Sequence, residues 1–147
     1  MPEIADMLKT LDRAGYHLTG QRRAMAELIA SRSDSFTADD LVAEAAEARP
    51  PIGRATVFRS LEIFESLGLV ERVHVVRSDH AYVVCDPARH HHHLVCERCG
   101  RNTEIRDVGI AAIARDLADK TGYRVNSHRF ELFGICPDCQ TTSPNNS

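Results

Sequence analysis

The sequence lacks long hydrophobic runs, and none of its 147 residues belongs to an apolar stretch of the roughly eighteen that a membrane-spanning helix needs. The first six residues, Met-Pro-Glu-Ile-Ala-Asp, lack the basic and apolar regions of a signal peptide. These absences predict a cytoplasmic protein with no membrane partner. The apolar content of 43% is sufficient for one ordinary domain or two small ones.

An excess of positive charge is also missing. The chain has 18 Lys and Arg against 21 Asp and Glu, which gives a formal net charge of -3. Bulk attraction to nucleic acid is therefore not expected. Any DNA binding would depend on a local arrangement of arginines.

The first 85 residues have the pattern of four helices followed by a β-hairpin. The first helix begins at Ile4 and ends at Gly15, Thr19 caps the second, a capping box at Thr37 and Asp40 opens the third, and the fourth follows Gly53 and ends at Gly68. Two β-rich stretches, 69–76 and 81–85, are joined by an expected turn at 77–80. This order predicts a winged helix-turn-helix over residues 1–85.

A hinge is expected at 86–90, where a proline and polar residues interrupt the pattern. Beyond it, a second unit over 91–140 should contain strands at 93–96, 102–106 and 129–135 and a helix over about 108–121. That helix is expected to turn four apolar residues inward: Ile110, Ile113, Ala114 and Leu117. Residues 141–147 are polar and are expected to be disordered. The predicted fold class is α+β, with a winged helix followed by a small α/β unit.

Four of the five cysteines form two pairs, Cys96-Glu-Arg-Cys99 and Cys136-Pro-Asp-Cys139. Each pair can offer two thiolates from a tight turn to one tetrahedral metal ion, so the natural interpretation is a structural Zn²⁺ site with one ion per chain. A redox dithiol and a chance group of buried cysteines are the alternatives.

Four consecutive histidines, His90 to His93, precede the first cysteine pair. Because alternate residues of an extended segment point to opposite sides, His91 and His93 should face one way and His90 and His92 the other. The run can therefore contribute to two metal sites. Cys85 is the remaining thiol, and its alternative role is that of a small buried hydrophobic residue.

Several motifs together resemble the ferric uptake regulator (Fur) superfamily over about residues 8–139. They are Leu18-Thr-Gly-Gln-Arg-Arg23, Ala55-Thr-Val-Phe-Arg59, Gly68-Leu-Val70, the segment from His90 to Gly100, Ser127-His128 and Gly134-Ile-Cys-Pro-Asp-Cys139. The resemblance implies a homodimeric, metal-dependent transcriptional repressor that binds a palindromic DNA operator. It also implies a C-terminal dimerisation domain. No enzymatic activity and no small-molecule substrate are expected, because no general base or oxyanion motif stands beside the candidate metal ligands; a metalloenzyme with an open zinc position is the alternative.

Within this superfamily the chain is most similar to the zinc uptake regulators (Zur). Ser35 and Phe36 stand where iron and peroxide sensors have a histidine ligand. The resemblance assigns a regulatory zinc to Glu71, Cys85, His91 and His93. A thiolate with two imidazoles and a carboxylate suits Zn²⁺ better than Fe²⁺ or Mn²⁺. Open alternatives are a solvated Glu71 paired with Arg72 or Arg77, and sensing of iron, peroxide through iron, or nickel, the last with help from His74 and His80.

A further family site would use His90, His92 and His128 with a carboxylate from the C-terminal helix. This chain has Ala111 where that carboxylate is expected, so Glu104 or Asp107 would have to replace it, or the site would be three-coordinate or empty. A second regulatory zinc per chain therefore depends on an incomplete ligand set.

The fourth helix carries the candidate DNA contacts on the face opposite its apolar residues: Arg54, Thr56, Phe58 and Arg59. Arginine can bind guanine through two hydrogen bonds, and threonine can contact a thymine methyl group. Arg13, Arg22 and Arg23 are expected to contact phosphates. A zinc buffer without DNA binding is a further alternative.

Overall fold

The computed structural model describes residues 2–75, 78–88, 91–106 and 109–142. Its elements form an N-terminal section, from α1 to β3, and a C-terminal section, from β4 to α6. They are α1 (Ile4–Arg13), α2 (Gly20–Ala30), β1 (Phe36–Thr37), α3 (Ala38–Glu47), α4 (Arg54–Ser66), β2 (Val70–Val75), β3 (Ser78–Val84), β4 (His91–Cys96), β5 (Asn102–Arg106), α5 (Ile110–Thr121), β6 (Glu131–Gly134) and α6 (Pro137–Thr141). Within the described part of the chain, no helix has the length and hydrophobicity to span a bilayer.

Capping side chains fix the starts of α2 and α3. The Thr19 hydroxyl accepts a hydrogen bond from the Arg22 backbone N–H at 3.3 Å. Thr37 and Asp40 form the predicted capping box, since the Asp40 N–H donates to the Thr37 hydroxyl at 3.1 Å and the Thr37 N–H donates to the Asp40 carboxylate at 2.8 Å. Two donors that a helix N-terminus leaves unpaired are thereby satisfied.

The hydrophobic core lies in the N-terminal section. Val57, Leu61 and Phe64 on one face of α4 are buried in a cluster with apolar residues of α1, α2, α3 and the first sheet. Because this face is turned inward, the opposite face of α4 is presented to solvent. The position of the candidate DNA-contacting residues follows from this packing.

The first sheet has the strand order β1-β3-β2, and both pairings are antiparallel. Strand β1 was not predicted, because two residues are too few to show a periodic pattern. The expected turn at 77–80 was too long, since β3 already begins at Ser78. Residues 76 and 77 lie outside the described residues.

The second sheet has β4 in the middle, antiparallel to β5 and parallel to β6, with α5 as the connection between β5 and β6. Strand β4 begins two residues earlier than predicted because its pairing with β5 extends to His91. Helix α5 begins at Ile110 after Gly109, whose φ is +87°. Strand β6 covers Glu131–Gly134 and is shorter than the predicted 129–135. Helix α6 was not predicted, and its last residue, Thr141, was expected to begin the disordered tail. Residues 143–147 lie outside the described residues.

The predicted inward face of α5 is wrong for the single chain. Ile113 and Leu117 are 57% and 52% exposed, and no residue of α5 is buried. Periodicity identifies an apolar face but does not identify the surface that covers it. The α+β class with an N-terminal winged helix is confirmed.

Candidate metal centres

The four paired cysteines meet at one end of the second sheet. Cys96 ends β4 and Cys136 follows β6, and the parallel pairing of these strands brings the two pairs together. The four sulfur atoms lie within 4.8 Å of one another, and all four thiols are free. The Cys99 and Cys136 sulfurs are 3.7 Å apart. With Zn–S bonds of about 2.3 Å, two sulfurs of a tetrahedral site are about 3.8 Å apart, so this group fits zinc.

Backbone donors prepare this cluster, named the cysteine knuckle, for a cation. The Cys136 N–H donates to the Cys96 sulfur at 3.3 Å. Together with the N–H groups of Cys99 and Arg98, it lowers the pKa of Cys96 to about 6. Hydrogen bonding to the Cys136 side chain raises the pKa of Cys139 to about 12. Cys96 is thus mainly a thiolate at neutral pH, whereas Cys139 would release its proton to solvent when a metal ion binds its sulfur.

A second cluster lies where the two sections meet. Cys85 follows β3, whereas His91 and His93 lie on β4, and their ligand atoms are within 4.8 Å of one another. The Cys85 sulfur is 3.3 Å from His93 Nε2. Glu71 Oε2 of β2 is 3.8 Å from each of these two atoms. The structure therefore brings three of the residues predicted for the regulatory zinc into one close group and places Glu71 beside two of them. These four residues are named the junction site.

Burial controls the protonation of the junction site. It raises the pKa of the Cys85 thiol, and the Glu71 carboxylate raises it further. Burial also lowers the pKa of His93, with a further contribution from His91. A neutral His93 offers a lone pair, and a bound Zn²⁺ would supply the positive charge that stabilises the Cys85 thiolate.

Two residues beside the junction site were not predicted from the sequence. Asn102 Oδ1 lies 3.0 Å from His93 Nδ1. Arg129 Nε is 3.1 Å from Glu71 Oε1, and Arg129 Nη2 donates to the Arg72 carbonyl at 2.8 Å. Glu71 therefore pairs with Arg129, whereas Arg72, considered as its partner from the sequence, pairs with Glu65 at 3.2 Å. Arg77, the other partner considered, lies outside the described residues. Neither contact had a signal in a motif. The contact of Asn102 with His93 depends on the register of β4 and β5, and the contact of Arg129 with Glu71 depends on how the two sections lie together.

The remaining histidines are divided by the alternation of β4. His92 is buried on the other side from His91 and His93, with its ring centroid 5.4 Å from that of His128. His90 lies outside the described residues, and Ala111 offers no ligand atom. Within the described ranges, His92 and His128 belong to no close group of three ligands, and neither do His74 and His80.

The candidate DNA-contacting residues fall into two groups. On α4, Phe58 is 38% exposed, Arg59 is exposed, and Thr56 is half-buried. Arg54 lies over the Phe58 ring and pairs with Asp39 at 3.1 Å. Near α2, Arg13 and Arg23 are exposed, whereas Arg22 donates to the His17 carbonyl and lies over the Tyr16 ring. Arg22 would have to leave these contacts to bind a phosphate.

Comparison with known proteins shows the family. The Ferric uptake regulator family matches residues 13–133. The zinc uptake regulation protein of Mycobacterium tuberculosis is 37% identical over 131 residues, covering 89% of this chain and 100% of that protein. The ferric uptake regulation protein of Neisseria meningitidis is 33% identical over 131 residues, covering 88% of this chain and 90% of that protein.

A solved structure described as a zinc uptake regulator complexed with zinc and DNA has the same architecture. Its TM-score is 0.73 at 29% identity, and the match covers 94% of this chain and 93% of that one. Both zinc and ferric regulators are thus among the relatives, so the family does not by itself define the metal. The chain belongs to the ferric uptake regulator family, whose members are metal-responsive, DNA-binding transcription regulators.

Proposed function

We propose that the protein is a zinc-responsive, homodimeric transcriptional repressor that binds a palindromic operator when Zn²⁺ occupies the junction site. The observation that carries the proposal is the 3.3 Å distance between the Cys85 sulfur and His93 Nε2, with Glu71 Oε2 3.8 Å from both. Two ligands of a tetrahedral zinc ion, one sulfur and one nitrogen, are about 3.6 Å apart. The site therefore needs only small adjustments to hold the ion.

Ligand chemistry supports zinc over the other metals of the family. A thiolate is a soft ligand, and it favours Zn²⁺ over Fe²⁺ and Mn²⁺ when imidazoles complete the shell. An iron, peroxide or nickel sensor is the alternative. His74 and His80 do not support nickel sensing, since neither joins a ligand group within the described residues.

Regulation would follow from the position of the ligands. Glu71 and Cys85 belong to the wing, whereas His91 and His93 belong to the C-terminal section. One ion held by both sections would fix the angle between them and thus the separation of the two α4 helices in a dimer. A hundredfold gain in DNA affinity would require about 2.7 kcal/mol of preference for the locked form, which one metal ion can supply.

The exposed apolar surface of the C-terminal section supports the dimer. Six of its large apolar side chains are at least 39% exposed: Ile113, Leu117, Tyr123, Val125, Leu132 and Phe133. Covering this surface with the same surface of a second copy would bury it symmetrically.

The cysteine knuckle would carry one structural Zn²⁺ per chain. A further zinc at His90, His92 and His128 would lack a carboxylate at Ala111, and the proposed regulation does not require it.

DNA recognition would use the exposed face of α4, with Arg54, Thr56, Phe58 and Arg59 in the major groove and Arg13, Arg22 and Arg23 near phosphates. A cytoplasmic location, predicted from the lack of long apolar runs and of signal-peptide features, is part of the proposal because the operator DNA is there. No enzymatic turnover is expected, since the four ligands of the junction site would leave no open coordination position.

The test is binding to a palindromic duplex selected from a random-sequence library, measured by fluorescence anisotropy with Zn²⁺, Fe²⁺ and Ni²⁺. Zinc should increase the affinity about a hundredfold, and Arg59→Ala should reduce the zinc-loaded affinity by about 1–3 kcal/mol. Arg124→Ala, which removes an exposed arginine far along the chain from α4, is the control and should have no effect. Equal binding without zinc, or a stronger response to iron or nickel, would contradict the proposal. Zinc binding with no DNA binding would indicate a zinc buffer.

A further inference from the structure

The imidazole of His93 is the most enclosed ligand of the junction site. The residue is 2% exposed, and both ring nitrogens have defined neighbours. Nε2 is 3.3 Å from the Cys85 sulfur, and Nδ1 is 3.0 Å from Asn102 Oδ1. The orientation of this ring therefore depends on a residue that is not itself a metal ligand.

The chemistry of the amide defines the tautomer. An amide oxygen can only accept a hydrogen bond, so a neutral His93 beside Asn102 Oδ1 carries its proton on Nδ1. The lone pair is then on Nε2, the nitrogen that faces Cys85. The other tautomer would leave the Asn102 oxygen opposite a lone pair and would turn an N–H toward the position of the metal.

We infer that Asn102 is a positioning residue of the junction site, which holds His93 in the Nδ1–H tautomer and aims Nε2 at the ion shared with Cys85 and His91. The inference rests on the proposed function insofar as His93 is a ligand. Hydrogen bonds to the second nitrogen of a metal-binding histidine orient the ring and increase its basicity. Asn102 gives this chain such a partner without adding a negative charge to a site that already has Glu71 and Cys85.

The location of Asn102 also connects the two metal centres. Asn102 begins β5 and is paired with Val95 of β4, between His93 and Cys96. The preceding residue, Arg101, accepts a hydrogen bond on its carbonyl from the Cys96 N–H at 2.8 Å. Order in the cysteine knuckle therefore fixes the backbone that carries Asn102. Zinc bound at the cysteine knuckle would thus hold Asn102 in position before a metal ion binds at the junction site.

The first test requires no substitution. In full-length protein that retains knuckle zinc but has no metal at the junction site, two-bond ¹⁵N–¹H correlation spectra report which nitrogen of His93 carries the proton. The expected result is the Nδ1–H tautomer. An Nε2–H tautomer in the parent protein would overturn the inference.

The second test compares Asn102→Val, which removes the acceptor, with Asn102→Asp, which retains one. Zn²⁺ affinity of the exchangeable site is measured by competition with a chromophoric chelator, and Thr103→Val is the control on the neighbouring strand position. Asn102→Val should weaken Zn²⁺ binding 10- to 100-fold, on the order found for outer-shell partners of zinc-binding histidines, and should lose the single tautomer. Asn102→Asp should bind as tightly as the parent or more tightly, and knuckle zinc content should be the same in all variants.

The outcomes separate this inference from the proposed function. Unchanged zinc affinity and tautomer in Asn102→Val would overturn the role of Asn102 while the regulatory site stands. A parent protein that binds no exchangeable zinc would overturn both. Weaker binding in Asn102→Val that Asn102→Asp does not restore would show a packing effect and would also overturn the role of Asn102.

Discussion

The two sections of the chain obtain their stability in different ways. The N-terminal section buries a continuous apolar cluster from Met7 to Tyr82. In the C-terminal section, by contrast, the only buried residues among those described are His92, His93, Val95 and Cys96. A section of this size with so little apolar burial needs other sources of stability, such as a metal ion or a partner surface.

The two ligand clusters reflect the same difference. All four cysteines of the knuckle lie in the C-terminal section, so a metal there stabilises that section without requiring any orientation of the other. The junction site takes ligands from both sections, so its metal can change their relative position. Under the proposed function, this contrast would distinguish a structural zinc from a regulatory one by location as well as by ligand type.

Among the substitutions that test this difference between the two sections, Cys136→Ser is expected to have the largest effect. Structural zinc sites contribute on the order of ten kcal/mol to the folding of small domains, so the variant should lose knuckle zinc and most protection of the C-terminal section. Hydrogen exchange measured by mass spectrometry should show fast exchange from β4 to α6 and slow exchange in α2 and α4. Cys85→Ser is the matched control and should retain the slow pattern throughout. Slow exchange of both sections in Cys136→Ser would contradict the claim that a metal ion at the cysteine knuckle stabilises the C-terminal section.

Phe64→Ala should destabilise the N-terminal section. Phe64 is fully buried in the core cluster, so the substitution should lower the free energy of unfolding by about 3–5 kcal/mol. Urea unfolding followed by far-UV circular dichroism measures this loss, and knuckle zinc content should not change. Phe58→Ala removes an exposed ring from the same helix and should cost much less. Similar losses for the two phenylalanines would contradict the assigned core.

Leu117→Asp tests whether a second copy covers α5. Fully burying a leucine contributes about 1.5–3 kcal/mol. Leu117 is 52% exposed in the single chain and a symmetric dimer would cover it in both copies, so the loss should be about that amount and the dimer dissociation constant should rise about tenfold to a hundredfold. Sedimentation velocity over a range of protein concentrations measures the change. Lys120→Ala on the same helix is the control, since its side chain pairs with Asp116 at the helix surface. A parent protein that is monomeric at all concentrations would rule out this explanation of the exposed face.

The smallest effect on stability is expected from Ser35→Ala, which removes a hydrogen bond between the N-terminal section and Gly100, the residue after Cys99 of the knuckle. The Ser35 hydroxyl and the Ser35 backbone N–H donate to the Gly100 carbonyl at 2.7 and 3.0 Å. Ser35→Ala removes the first bond and should lower the free energy of unfolding by about 0.5–1.5 kcal/mol with unchanged zinc content. Ser66→Ala, whose hydroxyl donates to a carbonyl of its own helix, is the control and should have less effect. An equal loss in the two variants in denaturant unfolding would show that the Ser35 contact has no special role.

Local patterns were sufficient for most of the fold. The capping box at Thr37 and Asp40 and the apolar face of α4 depend on neighbouring residues, and both are present as predicted. The alternation of His91, His92 and His93 also follows from strand geometry alone. Strand β1 and helix α6 were missed because short elements have no period to detect.

Contacts between the two sections could not be predicted from local patterns. The exposure of Leu117 depends on what lies against α5, and the pairing of Glu71 with Arg129 depends on the approach of β6 to the wing. Asn102 has no motif of its own, and its role is visible only through the register of β4 and β5. The candidate ligand residues could be named from the sequence and its family resemblance, whereas their neighbours Asn102 and Arg129 could not.

The most direct test of the regulatory site is metal content before and after mild chelation in the parent protein and in Cys85→Ser. The proposed function predicts one zinc per chain that resists chelation in both proteins, held by the cysteine knuckle. It predicts a second, exchangeable zinc in the parent alone. A second zinc that persists in Cys85→Ser, or a parent that takes up iron or nickel at that position in preference to zinc, would contradict it.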